Sequence, residues 1–236
     1  MTGTVFRLGD QALRAARMPG LDSGHLHEIH AKADDRAAAL AFALARGGAG
    51  KAMLVRLARR GRTVPSGEGL MLLGIDPARL VLVEADDERD LLRAGLEAAR
   101  CPGVGLVLLE TRGRCPGYDL TASRRLALAV RRSRACAVVL RHEAEPRPSV
   151  AQTRWAVASA ASRPLEAGAP GWPALEAELL RWRGGPAGWR WRLEWDSIQG
   201  GFRNAADPAP LLGAVVSLAR LRAAAANREP GRPRAA

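Results

Sequence analysis

Apolar positions along this chain switch repeatedly between two periods. Short stretches that are apolar throughout alternate with longer ones whose apolar residues fall three and four apart, the marks of strands and helices. Residues 26–29 form the first short strand and residues 36–46 a helix rich in Ala and Leu, strong helix formers. A strand over 53–57, a short helix over 69–73 closed by Gly74, and a strand over 80–83 follow. Residues 86–100 read as a helix whose first turn carries Asp86, Asp87 and Glu88, where carboxylates complement the helix dipole. The unbroken apolar run 104–109 fits a strand covered on both faces, and 137–140 is a second of that kind, with a helix over 121–134 between them. Alternation of this sort predicts an α/β protein with a mostly parallel central sheet flanked by helices.

After Arg147 the pattern changes. Residues 153–158 read as a strand, and 175–182 and 189–195 as two more, joined by Arg183-Gly184-Gly185-Pro186-Ala187-Gly188. That glycine- and proline-rich link predicts an antiparallel edge hairpin. Trp189, Trp191 and Trp195 recur among Arg190, Arg192 and Glu194, and with Trp182 they are expected to pack as hairpin core rather than to stack on bases. Residues 204–210 read as a linker, 211–226 as a C-terminal helix and 227–236 as a basic tail rich in Pro and Arg. The expected organisation is a core over 1–204 and a C-terminal helix with tail over 205–236.

Composition adds charge. The 236 residues carry a net charge of +12, nearly all from arginine, since Lys32 and Lys51 are the only lysines. Such a balance suits nucleic-acid or acidic-protein partners. Cys101, Cys115 and Cys136 show neither metal-binding nor disulfide-framework spacing. No apolar run reaches membrane-spanning length and the N-terminus lacks a signal-peptide core, so a cytoplasmic protein without a membrane partner is expected.

The strand at 26–29 runs through a loop into a helix, the place where P-loop ATPases cradle phosphate. The loop here is Ala31, Lys32, Ala33, Asp34, Asp35, Arg36 and Ala37. It has no glycine for close backbone approach and no Ser or Thr for magnesium, and its two carboxylates repel phosphate. Gly47-Gly48-Ala49-Gly50-Lys51 imitates half of a phosphate-binding motif, but it leaves a helix and enters a strand, the reverse of a working loop. It reads as a helix C-cap and turn.

Several stretches resemble the ImuA family, RecA-like accessory proteins of bacterial SOS mutagenesis. They are Phe6-Arg7-Leu8-Gly9-Asp10, Leu26-His27-Glu28-Ile29, residues 73–80 followed by Glu88-Arg89-Asp90, residues 119–126, Thr153-Arg154-Trp155 and residues 191–196. The resemblance implies a RecA-like fold and a role in copying across damaged DNA. The partners it implies are ImuB, a protein related to Y-family polymerases, and an error-prone replicative-type DNA polymerase, with RecA or its filament as a further contact. Glu110 falls where RecA-type ATPases place a magnesium-associated Asp. No carboxylate occupies the catalytic position after the second strand, where Arg59-Arg60-Gly61-Arg62 stand. No segment matching RecA's N-terminal polymerisation element precedes the core, so RecA-type filaments are not expected. The reading is therefore a non-catalytic scaffold with no cofactor; the alternative is a DNA-binding protein or DNA-stimulated ATPase of the RecA superfamily, using Lys32 or Lys51.

Three further groups of residues carry candidate chemistry. His25, His27 and His30 do not converge as zinc requires, because a strand sends His30 to the other face. On the 121–134 helix, Ala122, Leu126, Ala129 and Val130 share one face. Arg124, Arg125, Arg131 and Arg132 share the other, with Leu128 among them, a candidate surface for DNA phosphates or acidic groups. On the C-terminal helix, Leu211, Leu212, Val215, Leu218 and Leu221 form an apolar face and a candidate partner-binding element.

Overall fold

Nine strands make one sheet in the order β3-β2-β4-β5-β1-β6-β7-β8-β9. The structure, a computed structural model, describes residues 18–47, 50–58, 64–165, 168–197 and 200–205. The strands are β1 Leu26–Ala31, β2 Lys51–Leu57, β3 Leu80–Ala85, β4 Val104–Arg112, β5 Cys136–His142, β6 Thr153–Ala160, β7 Ala174–Trp182, β8 Arg190–Asp196 and β9 Gly201–Asn204. The helices are α1 Arg36–Arg46, α2 Gly67–Leu72, α3 Glu88–Ala98 and α4 Leu120–Ser133. β1 to β6 pair in parallel and β6 to β9 are antiparallel. The expected hairpin is β7–β8. β9 extends it by a further strand that the sequence pattern does not predict; it ends at Asn204, where the expected linker begins.

Local chemistry accounts for the element ends. The Asp87 and Asp119 side chains cap α3 and α4 by accepting from the N–H groups of Asp90 and Ala122, at 2.8 and 2.7 Å. α1 ends where Gly47 N–H donates to Ala43 O at 2.8 Å. Gly50, at φ +100°, then turns the chain into β2. Gly47 and Gly50 thus serve a helix end and a turn, and Lys51 stands exposed at the start of β2.

Two cores form, one on each face of the sheet. Val55, Val107, Leu109 and Val139 meet Leu91 of α3 and Leu126 and Val130 of α4. Ile29, Leu54, Leu108, Val138 and Trp155 meet Ala39, Phe42 and Ala43 of α1. Leu175, Leu179, Trp191 and Leu193 join that second core, so the antiparallel strands extend the apolar surface on the α1 side of the sheet. The rings of Phe42 and Trp155 lie 5.4 Å apart, and those of Trp155 and Trp191 5.7 Å. Trp191 and Trp195 are buried as the hairpin-core reading expects, whereas Trp189 is exposed.

His27 sits fully inside this structure. Its Nε2–H donates to Asp22 O at 3.1 Å, and its Nδ1 accepts from Thr153 Oγ1 at 2.8 Å. Trp155 Nε1–H in turn donates to the same hydroxyl at 2.8 Å. The chain of donors is complete only for neutral imidazole, and burial pulls the His27 pKa down from 6.5 to about 4. Since the folded-state pKa is the lower one, the folded protein resists protonation that the unfolded chain accepts. Stability is therefore expected to fall as the pH drops from about 6.5 toward 4. Urea unfolding across that range should show the slope in the native sequence and a shallower one in His27→Gln; equal slopes would contradict the assignment.

Candidate functional site

In open α/β sheets, ligands are received at the carboxyl ends of the strands. At that edge β4, β5 and β1 lie side by side. β1 runs two residues beyond its expected end and gives way at Lys32 to a single 3-10 turn, Ala33–Asp35, which leads directly into α1. Lys32 and Asp34 are exposed. Asp35 precedes α1 without capping it; its Oδ1 instead accepts the N–H of Ser159 on β6 at 2.8 Å. Arg36, the first residue of α1, points its Nε at Glu110 Oε1 of β4, 2.6 Å away. His142, at the end of β5, is buried with Nε2 3.3 Å from the same oxygen.

The candidate phosphate loop is thus occupied by the protein's own charges. The guanidinium of Arg36 neutralises Glu110. Asp35 fastens the loop to the neighbouring strand. The residues from Ala31 to Ala37 all carry a Cβ, and two of the side chains are carboxylates at the helix amino end, where a phosphate would need free N–H groups and positive potential. Among the described residues no group of three or more His, Cys, Asp or Glu converges as a metal site.

On the sheet face that carries α4, Glu28 of β1, Arg154 of β6 and Tyr118 form a buried ionic cluster whose links the sequence does not reveal. Glu28 is fully buried; Arg154 Nε donates to its Oε2 at 2.7 Å and the Tyr118 hydroxyl to its Oε1 at 2.8 Å. His30 Nε2 lies 4.0 Å from Oε2. Arg154 also donates to Ser149 Oγ at 3.2 Å and to the carbonyl of Arg147, which pins the segment between β5 and β6. The guanidinium of Arg141 stacks over the Tyr118 ring at 5.4 Å. Burial by itself would raise the Glu28 pKa, but His30, Ser149 and the charge of Arg154 outweigh it and bring the value down to about 2. Burial, with Glu28 beside it, drives the Tyr118 phenol well above 10. The cluster joins Leu26-His27-Glu28-Ile29 to Thr153-Arg154-Trp155, adjacent strands in which Glu28 is in register with Arg154. The signal was a charged residue inside each of two strands that should be covered, but neither names its partner.

The arginine face lies where the helical wheel puts it. Arg124, Arg125, Arg131 and Arg132 are exposed, and Leu128 among them is 56 % exposed. Ala122, half-buried, and the buried Leu126, Ala129 and Val130 face the sheet. Leu211, Leu212, Val215, Leu218 and Leu221 lie outside the described residues, as do Arg59, Arg60, Gly61 and Arg62 and the stretch Phe6-Arg7-Leu8-Gly9-Asp10. No described helix is long and apolar enough to cross a membrane.

The fold is RecA-like. The crystal structure of the RadB recombinase superposes with a TM-score of 0.51 over 78% of this chain and 92% of that one, at 14% identity. In sequence, the chain is 37% identical over 136 residues to Protein ImuA of Caulobacter vibrioides (strain NA1000 / CB15N), across 51% of this chain and 53% of that protein. Protein ImuA of strain ATCC 19089 / CIP 103742 / CB 15 matches to the same extent. The chain spans about half the length of these curated relatives, and the family they represent is the one its sequence resembles. No protein-family model matches it.

Proposed function

We propose that this chain is a non-hydrolysing, RecA-like accessory protein of SOS-induced translesion synthesis and mutagenesis. It acts as a scaffold for an ImuB-like partner and an error-prone replicative-type DNA polymerase, with RecA as a further contact. The observation that carries the reading is the Arg36–Glu110 ion pair beside the Asp35–Ser159 tether, in the place of a phosphate loop. Phosphoryl transfer needs a held phosphate, a metal and a positioned base. Here the metal-side carboxylate is spent on an arginine and the loop on a strand. The similarity to ImuA proteins supports the accessory role.

The purified full chain is expected to bind ATP no more tightly than about 1 mM, roughly the 4 kcal/mol of a non-specific contact. Lys32→Ala and Lys51→Ala should leave that value unchanged. Micromolar binding lost in either variant would establish the DNA-stimulated ATPase alternative instead. The scaffold role is tested by co-purification with the ImuB-like protein, with and without residues 208–236. Retention after truncation would remove the C-terminal apolar face as the docking element, and failure of the full chain to co-purify would reject the partner.

A further inference from the structure

The outward face of α4 is a charge pattern the fold does not use. Several arginines elsewhere meet carboxylates, among them Arg36 with Glu110, Arg56 with Glu84, Arg154 with Glu28 and Arg190 with Glu178, and Arg46, Arg79 and Arg181 donate to backbone carbonyls. Arg124, Arg125, Arg131 and Arg132 form no ion pair among the described residues, and from Ser123 to Ser133 the helix carries no carboxylate. At 1.5 Å rise per residue, Arg124 and Arg131 stand about 10 Å apart along the axis, as do Arg125 and Arg132. Successive residues turn by about 100°, so the two pairs form two rows with Leu128 between them. On one side Arg125 opens onto a groove of about 810 Å³ between α3 and α4, where Arg93, Leu92 and Leu96 add further positive and apolar surface. Glu88 and Asp119 stand at the amino-terminal end of that groove.

We propose that this face docks an acidic amphipathic helix of a partner protein. Leu128 supplies the apolar contact, and the two arginine rows grip carboxylates on either side of the partner's apolar stripe. Carboxylates suit guanidinium groups, which bind them bidentately. The leucine decides between polyanions. A nucleic-acid backbone laid along α4 would cover Leu128 with phosphate and sugar and gain nothing from it, whereas a helix with an apolar stripe buries it. The described end segments of the chain offer no acidic run to fill the face, and the whole chain at +12 repels a second copy. The proposal deepens the scaffold reading by giving it one surface and one partner chemistry.

The test uses the full chain as bait for a displayed library of random 16-residue peptides, with affinities of selected peptides measured by fluorescence anisotropy. The expected peptides carry Asp or Glu flanking apolar residues spaced three and four apart. Their affinity should fall at least about tenfold in Leu128→Ser and in the double variant Arg124→Gln/Arg132→Gln, and should weaken with salt. These side chains are exposed, so the variants should keep the native circular dichroism; were one to unfold, Arg125→Gln/Arg131→Gln replaces it. Selection of peptides without acidic residues, or affinities indifferent to Leu128→Ser, would overturn the proposal. So would a 30-nucleotide single strand that binds the native chain, is lost in the arginine variants and is untouched by Leu128→Ser, since that behaviour belongs to a phosphate track. Absence of peptide binding in a chain that still co-purifies with the ImuB-like protein would sink this assignment and leave the scaffold reading standing.

Discussion

Glu28→Ala is expected to cost the fold about 3–5 kcal/mol, the loss seen when one partner of a buried ion pair is removed. Arg154 would keep its charge in the interior with only Ser149 and the Arg147 carbonyl to face, and the Tyr118 hydroxyl would lose its acceptor. Guanidinium unfolding measures the difference directly. The double variant Glu28→Leu/Arg154→Met should recover much of it, because the penalty comes from the orphaned charge rather than from the pair's net worth. The effect is also legible in pH. The carboxyl ordinarily titrates near 4.5 and in the fold near 2, so its contribution is complete above about pH 4.5 and lost as the pH falls toward 2. The gap corresponds to on the order of 3 kcal/mol. In Glu28→Gln that part of the acid dependence should vanish, leaving the His27 component at higher pH. A loss below about 1 kcal/mol in Glu28→Ala would mean that the cluster is solvated rather than buried.

Trp155→Ala should be comparably severe, about 3–5 kcal/mol. Trp155 is fully buried between Phe42 of α1 and Trp191 of β8, so it links α1 to the antiparallel strands. Truncation opens a void too deep for the surrounding strands to fill and withdraws the indole N–H from Thr153, the hydroxyl that also serves His27. Trp155→Phe keeps most of the ring contact and gives up the hydrogen bond, and should lose about 1–2 kcal/mol. Thermal unfolding followed by near-ultraviolet circular dichroism separates the two. A near-neutral alanine variant would show that Trp155 does not join α1 to the antiparallel strands in one core. The consequence reaches the candidate site: α1 carries Arg36 at its first residue, so a helix loosened at Phe42 also loosens the contact with Glu110.

Much of the fold was legible because its signals are local. The apolar run at Val107–Leu108–Leu109 announces a strand covered on both faces, and the wheel of α4 separates Leu126 and Val130 from Arg124 and Arg131 without reference to anything distant. The helix end at Gly47 and the missing phosphate-binding residues from Ala31 to Ala37 could likewise be read by eye. β9 could not, since a four-residue strand, Gly201–Asn204, has too few positions to show a period. Nor could the pairing of Glu28 with Arg154, residues 126 positions apart in the chain. Each looked like an isolated charge in an apolar segment, and only strand register makes them partners.

The chain alone determined the alternation of strands and helices, the residue types of the loop from Ala31 to Ala37 and the arginine face of α4, because residue type and spacing suffice for each. Tertiary structure decided which charges neutralise which: Arg36 with Glu110, Asp35 with Ser159 N–H, Glu28 with Arg154. Those choices depend on strand order and on burial, and both arise from contacts between segments far apart in the sequence, where a residue's own neighbours carry no information about its partner.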